Sequence, residues 1–264
     1  MSELPKTKHC ILELKDSWLT IWFNRPEKRN ALSSDLLNDI KLTLSATNKD
    51  RSIRGIIFRG KGGIFCAGAD LEGIKKIASG VDQAHENSLK MSFEVGELFR
   101  MINNAPQVTV SAIEGAAMAG AFGIACASDL ILTMKDAKFA LTETRIGLTP
   151  AQIAPYVINR LGFSKAKKLM LLGSMIDGNK AYELGLADYI ANTYDEFSQI
   201  LLNIKDEVKK CAPNAVAITK EILSLNQGID PKRAAKFFSN CILNEEGREG
   251  ITSFFEKRKP YWNK

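Results

Sequence analysis

Apolar and polar positions alternate over residues 11–14 and again over 19–23, on either side of Lys15-Asp16-Ser17. That pattern predicts two antiparallel strands joined by a tight turn. Asn24-Arg25-Pro26 ends it. Leu36, Leu37, Ile40 and Leu44 then recur at helical spacing, with Ser33 or Ser34 placed to cap the first turn. Gly55-Ile56-Ile57-Phe58 is a short unbroken apolar run of the kind buried on both faces. Met91, Val95, Leu98 and Ile102 predict a helix from about Asp82 to Asn103, closed by Pro106. Residues 108–113 read as a strand, and the small residues of 116–127 as a helix packed tightly by its neighbours. Residues 130–133 and 139–141 read as further strands.

Short buried strands alternating with helices define an α/β class. From about Asp195 the pattern is helical alone: Phe197, Ile200, Leu201 and Ile204 form one stripe, Val216, Ile218 and Ile222 a second, Phe237, Phe238 and Ile242 a third. The chain is therefore expected to divide into an α/β core over 1–194 and a helical region over 195–264, with no internal repeat.

At 264 residues, 45% hydrophobic and 25% charged, the chain can bury a substantial core. The net charge of +6 is spread without a basic run long enough for a nucleic-acid tail. It reads as a solvated basic surface, and no nucleic-acid partner is expected. Five cysteines without CxxC spacing point to reduced thiols and a cytoplasmic setting. The N-terminus lacks an apolar signal core, and the longest apolar-looking stretch, 14 uncharged residues between Glu114 and Asp129, is too short for a bilayer. With only His9 and His85 available, a histidine-based triad and a histidine metal site are both disfavoured. No G-x-S-x-G elbow, Walker loop or G-x-G-x-x-G follows a strand.

Two small-residue segments remain: Ala67-Gly68-Ala69-Asp70, and Ala119-Gly120-Ala121-Phe122-Gly123. Gly and Ala let a ligand approach the main chain closely, and a helix N-terminus leaves N–H groups unpaired. Two such amides converging on one oxygen would make an oxyanion hole. Tight turns and close helix packing explain the same residues equally well.

Five stretches, in order along essentially the whole chain, resemble the crotonase (enoyl-CoA hydratase/isomerase) superfamily. Phe65-Cys66-Ala67-Gly68-Ala69-Asp70-Leu71 is similar to its first oxyanion loop, and Ile113-Glu114-Gly115-Ala116-Ala117-Met118-Ala119-Gly120-Ala121, on to Ala127-Ser128-Asp129, to its second. Phe139-Ala140-Leu141-Thr142-Glu143-Thr144-Arg145-Ile146-Gly147-Leu148 resembles the segment carrying the second catalytic glutamate. Asn24-Arg25-Pro26-Glu27-Lys28-Arg29-Asn30-Ala31-Leu32 resembles the early coenzyme A segment, and Phe254-Phe255-Glu256-Lys257-Arg258-Lys259-Pro260 the tail.

The resemblance implies a spiral of β-β-α units, a helical C-terminal trimerisation region, and a homotrimer or dimer of trimers. It implies an acyl-CoA substrate of the kind handled in fatty acid metabolism, and no cofactor beyond the coenzyme A of that substrate. By position, the donors to the thioester oxygen are the backbone amides of Ala69 and Ala121. Lys28, Arg29, Ala31, Ala67, Gly68, Asp70, Leu71 and Gly120 fall along the coenzyme A, while Phe254 and Lys257 reach a coenzyme A on the neighbouring subunit. Glu143 falls on the proton-transfer residue. A carboxyl group in an apolar pocket has its pKa raised toward neutrality, which suits that task.

One departure matters. The family's first glutamate maps to Gly123, and Phe122, Ile124 and Ala125 offer no substitute. A single carboxylate fits proton shuttling between the α- and γ-carbons, the isomerase chemistry. Residues 143–156 are nonetheless similar to hydratases of branched glutaconyl-type thioesters, whose second carboxylate would make Arg145 a partner. Hydration is the first expectation and isomerisation the second; hydrolysis or decarboxylation would use the same hole. A member that binds coenzyme A or RNA without turnover is the alternative from another class.

Overall fold

The computed structural model describes residues 3–79, 83–225 and 230–263. Strands β1 (Cys10–Lys15) and β2 (Trp18–Phe23) form the expected hairpin, closed by Asp16 and Ser17 with φ of 51° and 64°. Positive φ at both central residues matches the right-handed twist of the flanking strands. Helix α1 (Ser34–Thr47) is capped by Ser33, whose hydroxyl accepts from the Leu36 N–H at 3.3 Å. Leu36, Leu37, Ile40 and Leu44 turn inward as their spacing requires.

A three-step unit follows three times. β3 (Gly55–Gly60) leads to a short extended stretch around Cys66 and then to helices α2 (Leu71–Ser79) and α3 (Ala84–Asn103). β4 (Val108–Ile113) leads to β5 (Ala116–Met118) and α4 (Gly120–Ala127). β6 (Leu130–Met134) leads to β7 (Lys138–Ala140) and, past a 3-10 turn over Glu143–Ile146, to α5 (Ala154–Leu161). The first strand of each unit joins a six-stranded sheet that ends in β9 (Tyr189–Ala191), ordered β1-β2-β3-β4-β6-β9 and all parallel beyond the hairpin. The second strands of the later two units pair in a smaller layer with β8 (Met175–Asp177), ordered β5-β7-β8. This is the β-β-α spiral of the crotonase-type fold. Helix α6 (Phe163–Leu172), β8 (Met175–Asp177), α7 (Gly178–Leu184) and β9 (Tyr189–Ala191) complete it.

The expected helix over 116–127 is split. Residues 116–118 are strand, and the helix starts only after Ala119, whose φ of 49° and ψ of −117° turn the chain sharply. Small-residue content could not separate the two, because Gly and Ala suit a crowded strand as well as a crowded helix.

Four helices end the described chain: α8 (Tyr194–Lys210), α9 (Pro213–Leu223), α10 (Pro231–Leu243) and α11 (Glu245–Phe255). α8 still belongs to the core, which it enters with Phe197, Ile204 and Val208. No residue of α9 or α10 is fully buried within the single chain: Val216, Ile218, Ile222 and Phe237 are half-buried, while Phe238 and Ile242 are exposed. Lys220 of α9 ties this region to the sheet: its ammonium donates to Gln107 O at 2.9 Å and pairs with Asp129. The Asp129 carboxylate also accepts from the Thr109 N–H at 2.7 Å, a structural duty. Among the described residues no helix is long and apolar enough to cross a membrane.

Candidate active site

The first small-residue segment is a strand held on both sides. The Cys66 N–H donates to Ala116 O at 2.9 Å and the Met118 N–H to Cys66 O at 3.1 Å, pairing Cys66 with Ala117. On the other edge, the Leu32 N–H donates to Gly68 O at 2.8 Å and the Asp70 N–H to Leu32 O at 3.2 Å. That pairing uses the residues flanking Ala69 and leaves the Ala69 N–H pointing to the opposite edge. Among the described residues it finds no acceptor.

The second segment arrives alongside. Gly68 has a φ of 96°, and a Cβ there would lie 2.9 Å from Met118 O and 3.1 Å from the Ala119 Cβ. Only glycine allows the two main chains to touch. The Ala119 N–H is anchored to Ala140 O at 2.8 Å, which fixes the start of α4. The Gly123 N–H returns to Ala119 O at 3.2 Å, so the first-turn amides of Gly120, Ala121 and Phe122 precede any helical acceptor. Gly120 packs on Leu32, the residue bridged to Ala69, its ideal Cβ lying 2.9 Å from Leu32 Cδ1. Orphan donors from a strand and from a helix end are thus brought together, with the positive end of the helix dipole behind one of them. A non-glycine residue in the Ala119 conformation is strained by about 1–3 kcal/mol, and such strain persists only where surrounding contacts enforce it.

Glu143 enters through the same anchor, three residues beyond the Ala140 that holds Ala119. Its side chain is half-buried, and Oε2 is sealed from solvent without a hydrogen-bond partner among the described residues. Burial raises its pKa, opposed by a hydrogen bond from its own backbone. A carboxyl oxygen left unbonded in this way costs about 1–3 kcal/mol of stability. Such a cost is retained where the group has a ligand or a proton to handle.

Gly123 has no room for a side chain. An ideal Cβ would stand against the tip of the Phe99 ring, 2.4 Å from Cζ and 2.9 Å from both Cε atoms. The space a side chain at position 123 would need is filled by this fully buried aromatic ring.

The other expected ligand residues fare unequally. The Ala67 N–H is used by Arg29 O at 2.9 Å, and the Gly68 N–H faces the Cys66 sulfur at 3.4 Å. The Asp70 carboxylate accepts from the Glu72 N–H at 3.2 Å and pairs with Arg25 at 3.3 Å, so it caps α2, which opens at Leu71. Lys28 meets Glu72 at 3.3 Å on the surface, and Arg29 adopts a φ of 49° beside it. Ala31 O accepts from Arg25 Nη1 at 2.7 Å. Arg145 is exposed, and its Nε lies 3.4 Å from Leu172 O at the C-terminal end of α6. Phe254 and Lys257 close α11, which packs on α9 and α10, and both side chains are exposed.

Sequence reasoning overlooked Asn30. It is fully buried, with Oδ1 accepting from the Arg25 N–H at 2.8 Å and Nδ2 donating to Lys61 O and Ile64 O at 2.9 and 2.7 Å. It fastens the basic turn to the loop before Ala69; the only available signal was an amide residue between a charged turn and Ala31-Leu32.

Main-chain amides without an acceptor on two touching segments, and one desolvated carboxyl group three residues past the anchor of the second, are groups that can in chemical terms receive an oxyanion and exchange a proton. Comparison with known proteins agrees. The family described as Enoyl-CoA hydratase/isomerase matches residues 13–264, and the chain belongs to it. The solved structure of Pseudomonas aeruginosa AtuE is similar at 36% identity with a TM-score of 0.93, covering 97% of this chain and 100% of that one. An enoyl-CoA hydratase/isomerase from Marinobacter aquaeolei is similar at 36% identity with a TM-score of 0.91, covering 97% and 99%. The mitochondrial methylglutaconyl-CoA hydratase of Mus musculus is 29% identical over 254 residues, 92% of this chain and 78% of that protein.

Proposed function

We propose that this protein hydrates a 2-enoyl-CoA thioester. The amides of Ala69 and of the first turn of α4, Ala121 with Gly120 beside it, receive the thioester oxygen as negative charge develops. Each such donor contributes roughly 10²–10³-fold in rate. Glu143 takes a proton from the water whose oxygen bonds to the β-carbon, and a proton returns to the α-carbon. Oxygen and hydrogen from one water are thereby added, and the carboxyl group ends as it began. The observation that carries this reading is the sealed, unbonded Oε2 of Glu143, reached through the strand pair that fixes the orphan amides.

The hydratase named in mouse supports a branched glutaconyl-type substrate. Isomerisation is the second reading, favoured by the Phe99 ring where another acid would stand. The five free thiols support a reducing, cytoplasmic setting. An apolar cleft of about 260 Å³, lined by Pro150, Ala154, Phe163 and Met170 among others, supports assembly as a homotrimer or dimer of trimers, as do exposed Phe238 and Phe254. Coenzyme A lies along Lys28, Arg29 and the 67–71 loop, with Phe254 and Lys257 supplied across a subunit boundary.

The test is a panel of straight-chain, 3-methylglutaconyl and 3-enoyl thioesters with products identified by mass. Gain of one water, abolished in Glu143→Gln, is expected. Rearrangement at constant mass establishes the isomerase instead, and coenzyme A binding without conversion of any thioester overturns both.

A further inference from the structure

The contact between α3 and α4 bears on which acyl groups the site accepts. Gly120 and Gly123 lie three residues apart, on one face of α4 and separated by about 4.5 Å of rise. Gly120 belongs to the donor end. Gly123 is where the tip of the Phe99 ring meets the helix backbone. The β-carbon of an enoyl thioester is three bonds from the carbonyl oxygen, a reach comparable to that single turn. A substrate held by its oxygen at the N-terminus of α4 therefore carries its β-carbon toward the level of this ring.

Phe99 is well fixed. It is fully buried in the α3 stripe with Leu98 and Ile102, and its ring meets Tyr156 of α5 edge-on, with centroids 5.8 Å apart and planes at 71°. One turn earlier Gly96 abuts Gln152, whose amide donates to Ser92 Oγ at 3.2 Å. α3 is thereby clamped to the segment running from Glu143 into α5. A ring gripped by α4 on one side and α5 on the other has no free rotamer into which to retreat, and close-packed interiors transmit such constraints without yielding.

We infer that Phe99 is a specificity-determining residue: its ring limits the bulk accommodated around the β-carbon of the acyl chain. Position 123 is glycine because that ring occupies the space a side chain would need. The inference rests on the proposed placement of the thioester at the α4 N-terminus. It does not depend on whether hydration or isomerisation follows.

The experiment compares wild type, Phe99→Leu and Phe99→Ala with 2-butenoyl-CoA and 3-methyl-2-butenoyl-CoA. The ratio of kcat/KM for the branched over the straight thioester is expected to rise about tenfold or more in Phe99→Ala, as for one methyl group admitted to a pocket. Phe99→Leu falls between, and covers the case in which the alanine variant does not fold. A ratio within about twofold of wild type in a folded Phe99→Leu, and in Phe99→Ala if folded, overturns the inference. The saturated butanoyl- and 3-methylbutanoyl-CoA are titrated in parallel by calorimetry, and the same shift is expected in their Kd ratio. If wild type converts neither enoyl thioester, the hydratase reading falls for these substrates while the binding ratio still decides the part played by Phe99. Failure of all three proteins to bind either saturated thioester overturns both.

Discussion

Helices α4 and α10 leave opposite parts of themselves unsatisfied. Every residue of α4 is buried, and its C-terminal end is closed by Arg160, whose Nη2 donates to Ser128 O at 2.8 Å and to Asp129 O at 2.9 Å. Only its N-terminal amides remain open. In α10 the N-terminus is closed: the Asp230 carboxylate accepts from Lys232 at 2.9 Å and Arg233 at 3.2 Å, while no residue of the helix is buried and Phe238 is 69% exposed. A helix open at its end offers two or three aimed donors, which suits one small oxygen. A helix open along its face offers apolar area, which suits another protein surface.

The largest break in that contrast comes from Gly123→Glu. The new side chain must displace Phe99 and bury a charge beside it, a cost of about 4 kcal/mol or more. Loss of soluble, folded protein is expected on expression, and partial recovery in the double variant with Phe99→Ala. Equal stability of the single variant and wild type in denaturant melts would show that the two helices part easily.

Next is Glu143→Gln, which leaves the α4 amides in place but removes the acid. Turnover should fall roughly 10²–10⁴-fold. Its pH behaviour follows from burial raising the pKa of Glu143 above its ordinary value of 4.5. The folded chain holds this proton at pH values where the unfolded chain has released it, so this group's contribution to stability declines as pH climbs from 4.5 through the raised value. Thermal melts from pH 4 to 8 should show that decline lessened in the glutamine variant. Activity that depends on the ionised form should rise over the same window in wild type. Identical melting profiles of the two proteins would remove the electrostatic part of the argument.

Asp129→Ala tests the bolt between the two regions. It leaves the Lys220 ammonium, whose pKa burial lowers against the pull of Asp129, without its carboxylate. A loss of about 3 kcal/mol is expected, at the low end for a broken buried pair because the Asp129 side chain is 30% exposed. Hydrogen exchange should quicken first in α9. Phe238→Lys is the mildest change to the chain itself, within about 0.5 kcal/mol in folding stability. Its expected effect is a smaller mass in sedimentation, and unchanged mass would place the subunit contact elsewhere.

Much of this was legible in residue order. The hairpin, α1, β3 and β4 follow from apolar spacing alone, because period-two and 3.6-residue patterns bury different faces. The two small-residue segments could be marked by residue type, although turns and packing explain them as well, and Glu143 could be marked only by the resemblance of residues 139–148 to the family's second-glutamate segment. Less visible was which amides are free. Ala67 and Ala69 are the same residue type two apart, yet Ala67 donates to Arg29 O while strand pairing turns Ala69 outward. That Asp70, marked as a ligand contact, also caps a helix and binds Arg25, 45 positions away in sequence, was not visible either. Arg145, two residues beyond the acid in sequence, faces Leu172.

The sequence by itself determined the α/β class, the two glycine-rich approaches and the absence of a second carboxylate at position 123. These are properties of local backbone freedom and side-chain chemistry. The tertiary structure alone decided that a phenylalanine from another helix fills that vacancy, that Glu143 keeps one oxygen sealed and unbonded, and that three first-turn amides precede any acceptor. Each depends on segments distant along the chain meeting within a few ångströms, and no periodicity encodes which residues will meet.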